Sequence, residues 1–358
     1  MRRLLMFRFV VPWIILSLIL KSCDSGSHDT PWISEDNLTI GEYLRENAQE
    51  YSQFYRLLDE SGLLITLCGY NPHGEGYTLF IPTDEAVDLF ILQHQDYNGI
   101  EDLLLDTGFV KTLTRYHIIN KKIHTNEFPF GALNDTTLSG DRLTVGFYTD
   151  RNNPLFKVNN IAPIIRSNLE MTNGFIHVIS DVLQQTEVSG YDWLQQQDGY
   201  SILADAMELS GIRNRLWWEK YTILAEHDSI FHRNGIGTVD DLVNRIASYG
   251  IPLSDQSNSF HQFTAFHILR GEFYLNDLYM GQEDYRTLGD ERVVIDVGLD
   301  IRINPGVDTF SIEISEAGDT TVIDYIRLIW EACNMLSLTG PVHSISDLLI
   351  SEPWPGHD

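Results

Sequence analysis

Gly76-Tyr77-Thr78-Leu79-Phe80-Ile81-Pro82-Thr83-Asp84-Glu85-Ala86 changes character in mid-course. The run up to Ile81 is rich in aromatic and β-branched residues and suits a short strand. Pro82 then stops it, and Thr83 offers an oxygen to cap a helix. Asp84 and Glu85 fall in the positive first turn of that helix. A strand running straight into a capped helix is therefore expected here. The same change of character recurs at Lys220-Tyr221-Thr222-Ile223-Leu224-Ala225-Glu226-His227-Asp228-Ser229-Ile230.

Working outward from this pair, further blocks recur in the same order. Upstream, Tyr51 to Gly62 matches Tyr200 to Gly211, with Phe54, Leu57, Leu58 against Leu203, Ala206, Met207. That i, i+3, i+4 spacing gives one buried helix face, and each block ends in Ser-Gly, a helix stop. Downstream, Thr114-Arg115-Tyr116-His117-Ile118-Ile119 matches Thr264-Ala265-Phe266-His267-Ile268-Leu269. Asn173-Gly174-Phe175-Ile176-His177-Val178-Ile179 matches Thr339-Gly340-Pro341-Val342-His343-Ser344-Ile345. Four collinear matches with drifting spacing mean one domain present twice, with loop insertions.

This order of blocks resembles the fasciclin-like domain. The resemblance covers 37–187 as a first domain and 188–350 as a second, diverged one. The second has Ala225-Glu226-His227 in place of a Pro-Thr turn, Phe266 in place of Tyr, and an insertion around Val307 to Ile329. The fold implied is α+β, each domain a wedge-shaped β-sandwich flanked by helices. The residues agree: 40–67 and 83–119 read as mainly helical, and Arg142–Tyr148, Leu155–Val158, Ile161–Ile165 and Phe175–Ile179 read as strands. Helices and strands are thus segregated rather than alternating. The resemblance also links the Tyr-His block to adhesive contacts. That points to Tyr116 and His117 and, in the second copy, Phe266 and His267. The residues themselves read as structural, each histidine satisfied by backbone groups.

The first residues form a targeting segment. Arg2, Arg3 and Arg8 precede or open an apolar stretch from Phe9 to Leu20, too short for a stable membrane span. Leu20-Lys21-Ser22-Cys23 resembles a bacterial lipobox, although Lys21 departs from its pattern. Residues 1–22 then read as a lipoprotein signal peptide, Cys23 as the lipidated residue, 23–36 as a tether and 351–358 as a tail. The location implied is the cell envelope, as an outer-membrane lipoprotein exposed at the surface.

Composition narrows the function. Among 358 residues, 24 Lys and Arg face 51 Asp and Glu, a formal charge of −27. A nucleic-acid partner needs a concentrated positive field and is excluded. Hydrophobic residues make up 43%, enough for packed cores. Three cysteines are too few for a disulfide framework, and Cys68 and Cys333 read either as a pair or as two separate thiols. No nucleophile elbow, zinc-protease helix, phosphate loop or calcium loop occurs. His227 and His232, five apart, miss the one-face geometry of a metal pair. No catalytic residue, metal or cofactor is therefore assigned, and the chain is read as non-enzymatic.

Trp217-Trp218 stands where the first copy has Gly69-Tyr70-Asn71-Pro72. A tryptophan pair in a connection stacks on a sugar ring, anchors a partner, or covers a core edge. Tyr274, Tyr279 and Tyr285 share that ambiguity. Two functions are carried forward. One is adhesion to an extracellular protein or matrix polymer by a membrane-anchored chain. The other is accessory service to an outer-membrane transporter taking up glycan or peptide.

Overall fold

The computed structural model describes residues 38–94, 96–150, 153–217, 219–278, 280–297, 301–304, 326–329 and 332–350. The leader 1–22, Cys23, the tether, Trp218, Tyr279, most of the insertion (305–325) and the tail 351–358 lie outside them. The described residues all belong to one compact unit. The fold is α+β.

The first half runs α1 (Ile40–Glu46), α2 (Ser52–Glu60), α3 (Leu63–Leu67), β1 (Tyr77–Pro82), α4 (Asp84–Gln93), α5 (Ile100–Leu105), α6 (Thr107–Tyr116), β2 (Ile118–Ile119), β3 (Gly131–Thr136), β4 (Arg142–Asp150), β5 (Asn153–Val158), β6 (Ala162–Met171) and β7 (Gly174–Ile179). The expected strand-to-helix step at Pro82 is present: the Thr83 hydroxyl accepts from the Ala86 amide at 3.2 Å. The helical stretch 40–67 divides into three, and the second break falls at Gly62, whose φ of +74° makes a left-handed turn that ends α2. Gly211 ends the matching helix of the second half in the same way, at φ +73°.

Seven strands are joined in the order β2-β1-β7-β6-β5-β4-β3. The central pair β1 and β7 is parallel, with Leu79 opposite Ile176. β6 pairs with β7 along Ile164–Met171 but with β5 only at Ala162 and Pro163. Two register shifts lie between those ends, after Ile164 and after Arg166. Such shifts bend a strand and let it serve two layers. The result is a sandwich with helices on its outer face. Along β1 the side chains alternate: Tyr77, Leu79 and Ile81 join the helical core around Phe54 and Leu57, while Phe80 enters the core between the sheets.

The second half repeats this plan as α7 (Gly190–Gln196), α8 (Ser201–Leu209), β8 (Tyr221–Glu226), α9 (Asp228–Arg233), α10 (Val239–Ile246), α11 (Ser259–Phe266), β9 (Ile268–Arg270), β10 (Gly281–Arg286), β11 (Arg292–Val297), β12 (Ile301–Asn304), β13 (Ile326–Arg327) and β14 (Val342–Ile345). β8 and β14 form the parallel pair, with Leu224 opposite His343. Again Tyr221, Ile223 and Ala225 face the helical core and Leu224 faces the other. A buried threonine on each central strand, Thr78 or Thr222, links two backbone groups of the connection that leaves the neighbouring strand, β2 or β9.

The halves are docked through a 3₁₀ turn, Leu275–Asp277, set against the edge strand β3. The Asn276 side chain accepts from the Ala132 amide at 2.7 Å and donates to the Ala132 carbonyl at 2.9 Å, standing in for a neighbouring strand. A Cβ on Gly131 would collide with that Asn276 amide. Arg142 donates to both oxygens of Asp277, at 3.0 and 3.2 Å, and lies over the Tyr274 ring. Phe130 packs against the second-half core around Tyr285, and Asn160 donates to the Cys333 carbonyl at 2.8 Å.

Candidate functional site

The Tyr-His block ends α6. His117 is the C-cap, and its Nδ1 donates to the Leu113 carbonyl one turn back at 2.8 Å. Its Nε2 is then an acceptor, taking the Leu183 amide at 3.0 Å. The ring therefore fastens the chain leaving β7 to the end of α6. It is wholly buried, and desolvation holds its pKa down at about 4, so it is neutral at ordinary pH. Tyr116 is also interior; its hydroxyl accepts from the Asn159 amide nitrogen at 2.9 Å, and burial pushes its pKa up.

His177 and His343 form a second recurring clamp. Each ring bridges a backbone amide and a backbone carbonyl: Asn168 and Ile123 around His177, Asn334 and Phe273 around His343. Asn168 and Asn334 both take left-handed φ values, 59° and 55°, which asparagine tolerates better than most residues. Burial lowers both histidines to about 4.

The second half departs from the first at one point. His267 Nδ1 donates to Phe263 at 2.8 Å, as His117 does to Leu113. Its Nε2, however, meets Glu226 at 2.7 Å, and the same carboxylate oxygen accepts from the Leu349 amide at 2.9 Å. Glu226 thus relays a contact that is direct in the first half, and both side chains have no exposure. Among the described residues, Glu226 Oε2 has no hydrogen-bond partner.

Tyr116, His117, Phe266 and His267, the residues to which the adhesive expectation pointed, all lie in the interior. All four are at most 2% exposed. The block recurs because the same helix end must be tied to the same strand exit twice. Tyr274 and Tyr285 are buried as well. Cys68 and Cys333 are not joined to each other by a disulfide.

Trp217 is different. It follows the 3₁₀ turn Ile212–Arg215 and is 50% exposed. Tyr70, in the corresponding connection of the first half, is 78% exposed. Both halves therefore display an aromatic side chain in the connection before their central strand. Sequence reasoning named Trp217 but passed over Tyr70, whose neighbours Gly69, Asn71 and Pro72 already marked an exposed turn. It also missed Ile65, Leu92 and Leu105, apolar residues at least 78% exposed on first-half helices. Among the described residues no group of three or more His, Cys, Asp and Glu is placed to hold a metal ion. No helix among them is long and apolar enough to cross a membrane.

Comparison with known proteins bears on this arrangement. The family model described as the fasciclin domain matches residues 49–185, so the first half carries a fasciclin domain. Transforming growth factor-beta-induced protein ig-h3 of Sus scrofa is 23% identical over 287 residues, 78% of this chain and 36% of that protein. Periostin of Homo sapiens is 24% identical over 317 residues, 88% of this chain and 32% of that protein. The chain spans about a third of the length of these curated relatives. A solved fasciclin domain pair from the insect cell adhesion molecule Fasciclin I covers 85% of this chain and 98% of its own, at 14% identity and a TM-score of 0.37.

Proposed function

We propose that this is a non-enzymatic interaction protein of the cell envelope, in which two fasciclin-like domains contact an extracellular protein or matrix polymer. The observation that carries this reading is the fasciclin domain at 49–185, whose Tyr-His block is consumed by the core. Binding then falls to the surface, where Tyr70 and Trp217 stand exposed at matching places. Aromatic rings of this kind anchor partners because they bury much area at little rotamer cost. The repeated element order and the recurring clamps support reading 188–350 as the second such domain. In this proposal 1–22 is the signal peptide, Cys23 carries lipid, and 23–36 and 351–358 lie outside the paired domains.

A second reading keeps the same body and makes it an accessory lipoprotein of an outer-membrane transporter that takes up glycan or peptide. The half-exposed Trp217 favours it, since a flat indole face suits a sugar ring.

Protease treatment of intact cells tests the proposal, with a Cys23→Ala variant alongside. Digestion of the wild type on unbroken cells, together with loss of membrane attachment in the variant, supports it. Protection until the outer membrane is broken overturns surface display. Membrane attachment that survives in the variant overturns the lipid anchor.

A further inference from the structure

We propose that the contact joining the two halves also joins one molecule to the next, so that copies of this chain associate head to tail. This goes beyond the interaction role above and rests on the internal repeat alone.

The docking contact has two sides, and each has an equivalent in the other half of the chain. The inserting side is the 3₁₀ turn with Asn276 and Asp277. Its counterpart in the first half is the 3₁₀ turn Thr125–Glu127, with Asn126 and Glu127 in the same places. Asp277 and Glu127 even make the same cap, each accepting from the amide three residues earlier. Asn126 and Glu127 are both exposed.

The receiving side is the edge strand β3 with Gly131, Ala132 and Arg142. Its counterpart in the second half is β10 with Gly281 and Gln282, followed by Arg292 on β11. In the strand order of the described residues β10 is an edge, bonded to β11 alone. It keeps a single register from Gly281 to Arg286, where β3 shifts between Ala132 and Thr136. Exposed strand edges are templates for pairing with another chain.

Three details show that this second receiving side is equipped and unfilled among the described residues. At Gly131 the Asn276 side chain occupies the space a Cβ would need; at Gly281 nothing lies within 4 Å. Phe130 packs against the partner half, whereas its equivalent Met280 is 80% exposed. Arg142 holds Asp277 across the contact, whereas the ion-pair partner of Arg292 among the described residues is a neighbour on its own sheet, Asp284, in an exposed pair at 2.7 Å. Exposed pairs of that kind exchange partners at little cost. Glu127 of a second copy would meet Arg292 as Asp277 meets Arg142.

The two sides are different patches of one molecule. The contact is therefore heterologous and adds copies in series unless the rotation closes a ring. It is also small, so the association is expected in the micromolar to millimolar range.

Sedimentation velocity of the full chain from about 10 µM to about 1 mM, at ~0.15 M salt, tests this. The expected result is an average mass that climbs past the dimer. Asn126→Ala and Arg292→Glu should each weaken association at least tenfold while leaving the circular dichroism spectrum unchanged. Glu127→Arg alone and Arg292→Glu alone should remain monomeric, and an equimolar mixture of the two should associate again. Asn126 supplies no side-chain cap, so its variant carries the test if Glu127→Arg fails to fold. A wild type that stays monomeric throughout overturns the proposal. So does a mass that stops at a closed dimer, or association that none of the variants changes.

Discussion

His117, His177 and His343 are neutral bases held inside the protein, each by two backbone contacts, and desolvation sets their pKa at about 4 against an ordinary value of 6.5. The sign of the linked stability follows. Above pH 6.5 neither the folded nor the unfolded chain protonates these rings, and their contribution is complete. As the pH falls from 6.5 towards 4 the unfolded chain binds protons that the folded chain refuses, so stability is lost across that window. One pKa unit corresponds to about 1.4 kcal/mol, which makes the effect of each ring a few kcal/mol at most. Proton NMR of the imidazole C2 signals should show these three histidines titrating near 4, and the thermal midpoint should drop between pH 6.5 and 4. Titration of all three near 6.5 would place the rings in solvent and undo the clamp account. The sequence showed that these histidines recur. It did not show Glu226 in contact with His267, because the two lie on different elements and only the folded sheet brings them together.

At the level of elements, α2 and α8 begin without a side-chain cap of their own, since Tyr51 and Tyr200 stand at their N-caps. The cap comes from elsewhere in the chain. Asp84 accepts from the Ser52 amide and hydroxyl and from the Gln53 amide, at 3.1, 2.5 and 2.9 Å. Asp228 does the same for Ser201 and Ile202, at 3.1, 2.7 and 3.0 Å. A carboxylate at a helix N-terminus makes charge-assisted bonds and meets the positive end of the helix dipole. Asp84→Ala and Asp228→Ala should each lower stability by about 2–3 kcal/mol. Asp84→Asn should lose less, because it keeps an oxygen acceptor; urea unfolding of the three variants measures the difference. A loss below about 0.5 kcal/mol for both alanine variants would mean that the caps are idle.

These aspartates mark how far the sequence could be read. Thr83 as a cap, the buried faces of α2 and α8 and the Ser-Gly stops were legible, since each depends on neighbours within a turn or two. So was the α+β class, because strands and helices fall in separate stretches. Asp84 was legible only as a first-turn acid of its own helix. Its second role spans 32 residues and depends on how α4 packs on α2. β3 went unread because Gly131-Ala132-Leu133-Asn134-Asp135-Thr136 lacks the alternation of a half-buried strand; it is held by β4 on one side and by Asn276 on the other. At the candidate site, Trp217 was legible as an aromatic in a connection but not as an exposed one, and Tyr116 and Phe266 gave no local sign of being interior.

For the molecule as a whole, the central proposal is that one fold occurs twice and that the copies are locked into a single unit. The lock is compact: Asn276 against the Ala132 backbone, the Arg142–Asp277 pair, and Phe130 seated in the neighbouring core. A partner would then meet the surfaces of both halves at a fixed spacing, with Tyr70 and Trp217 as matching landmarks. Scanning calorimetry of the full chain, beside a variant carrying Asn276→Ala and Arg142→Ala, tests this most directly. The wild type should unfold in one transition whose calorimetric and van't Hoff enthalpies agree, and the variant should split into two. Two separate transitions already present in the wild type, and unchanged in the variant, would contradict the claim.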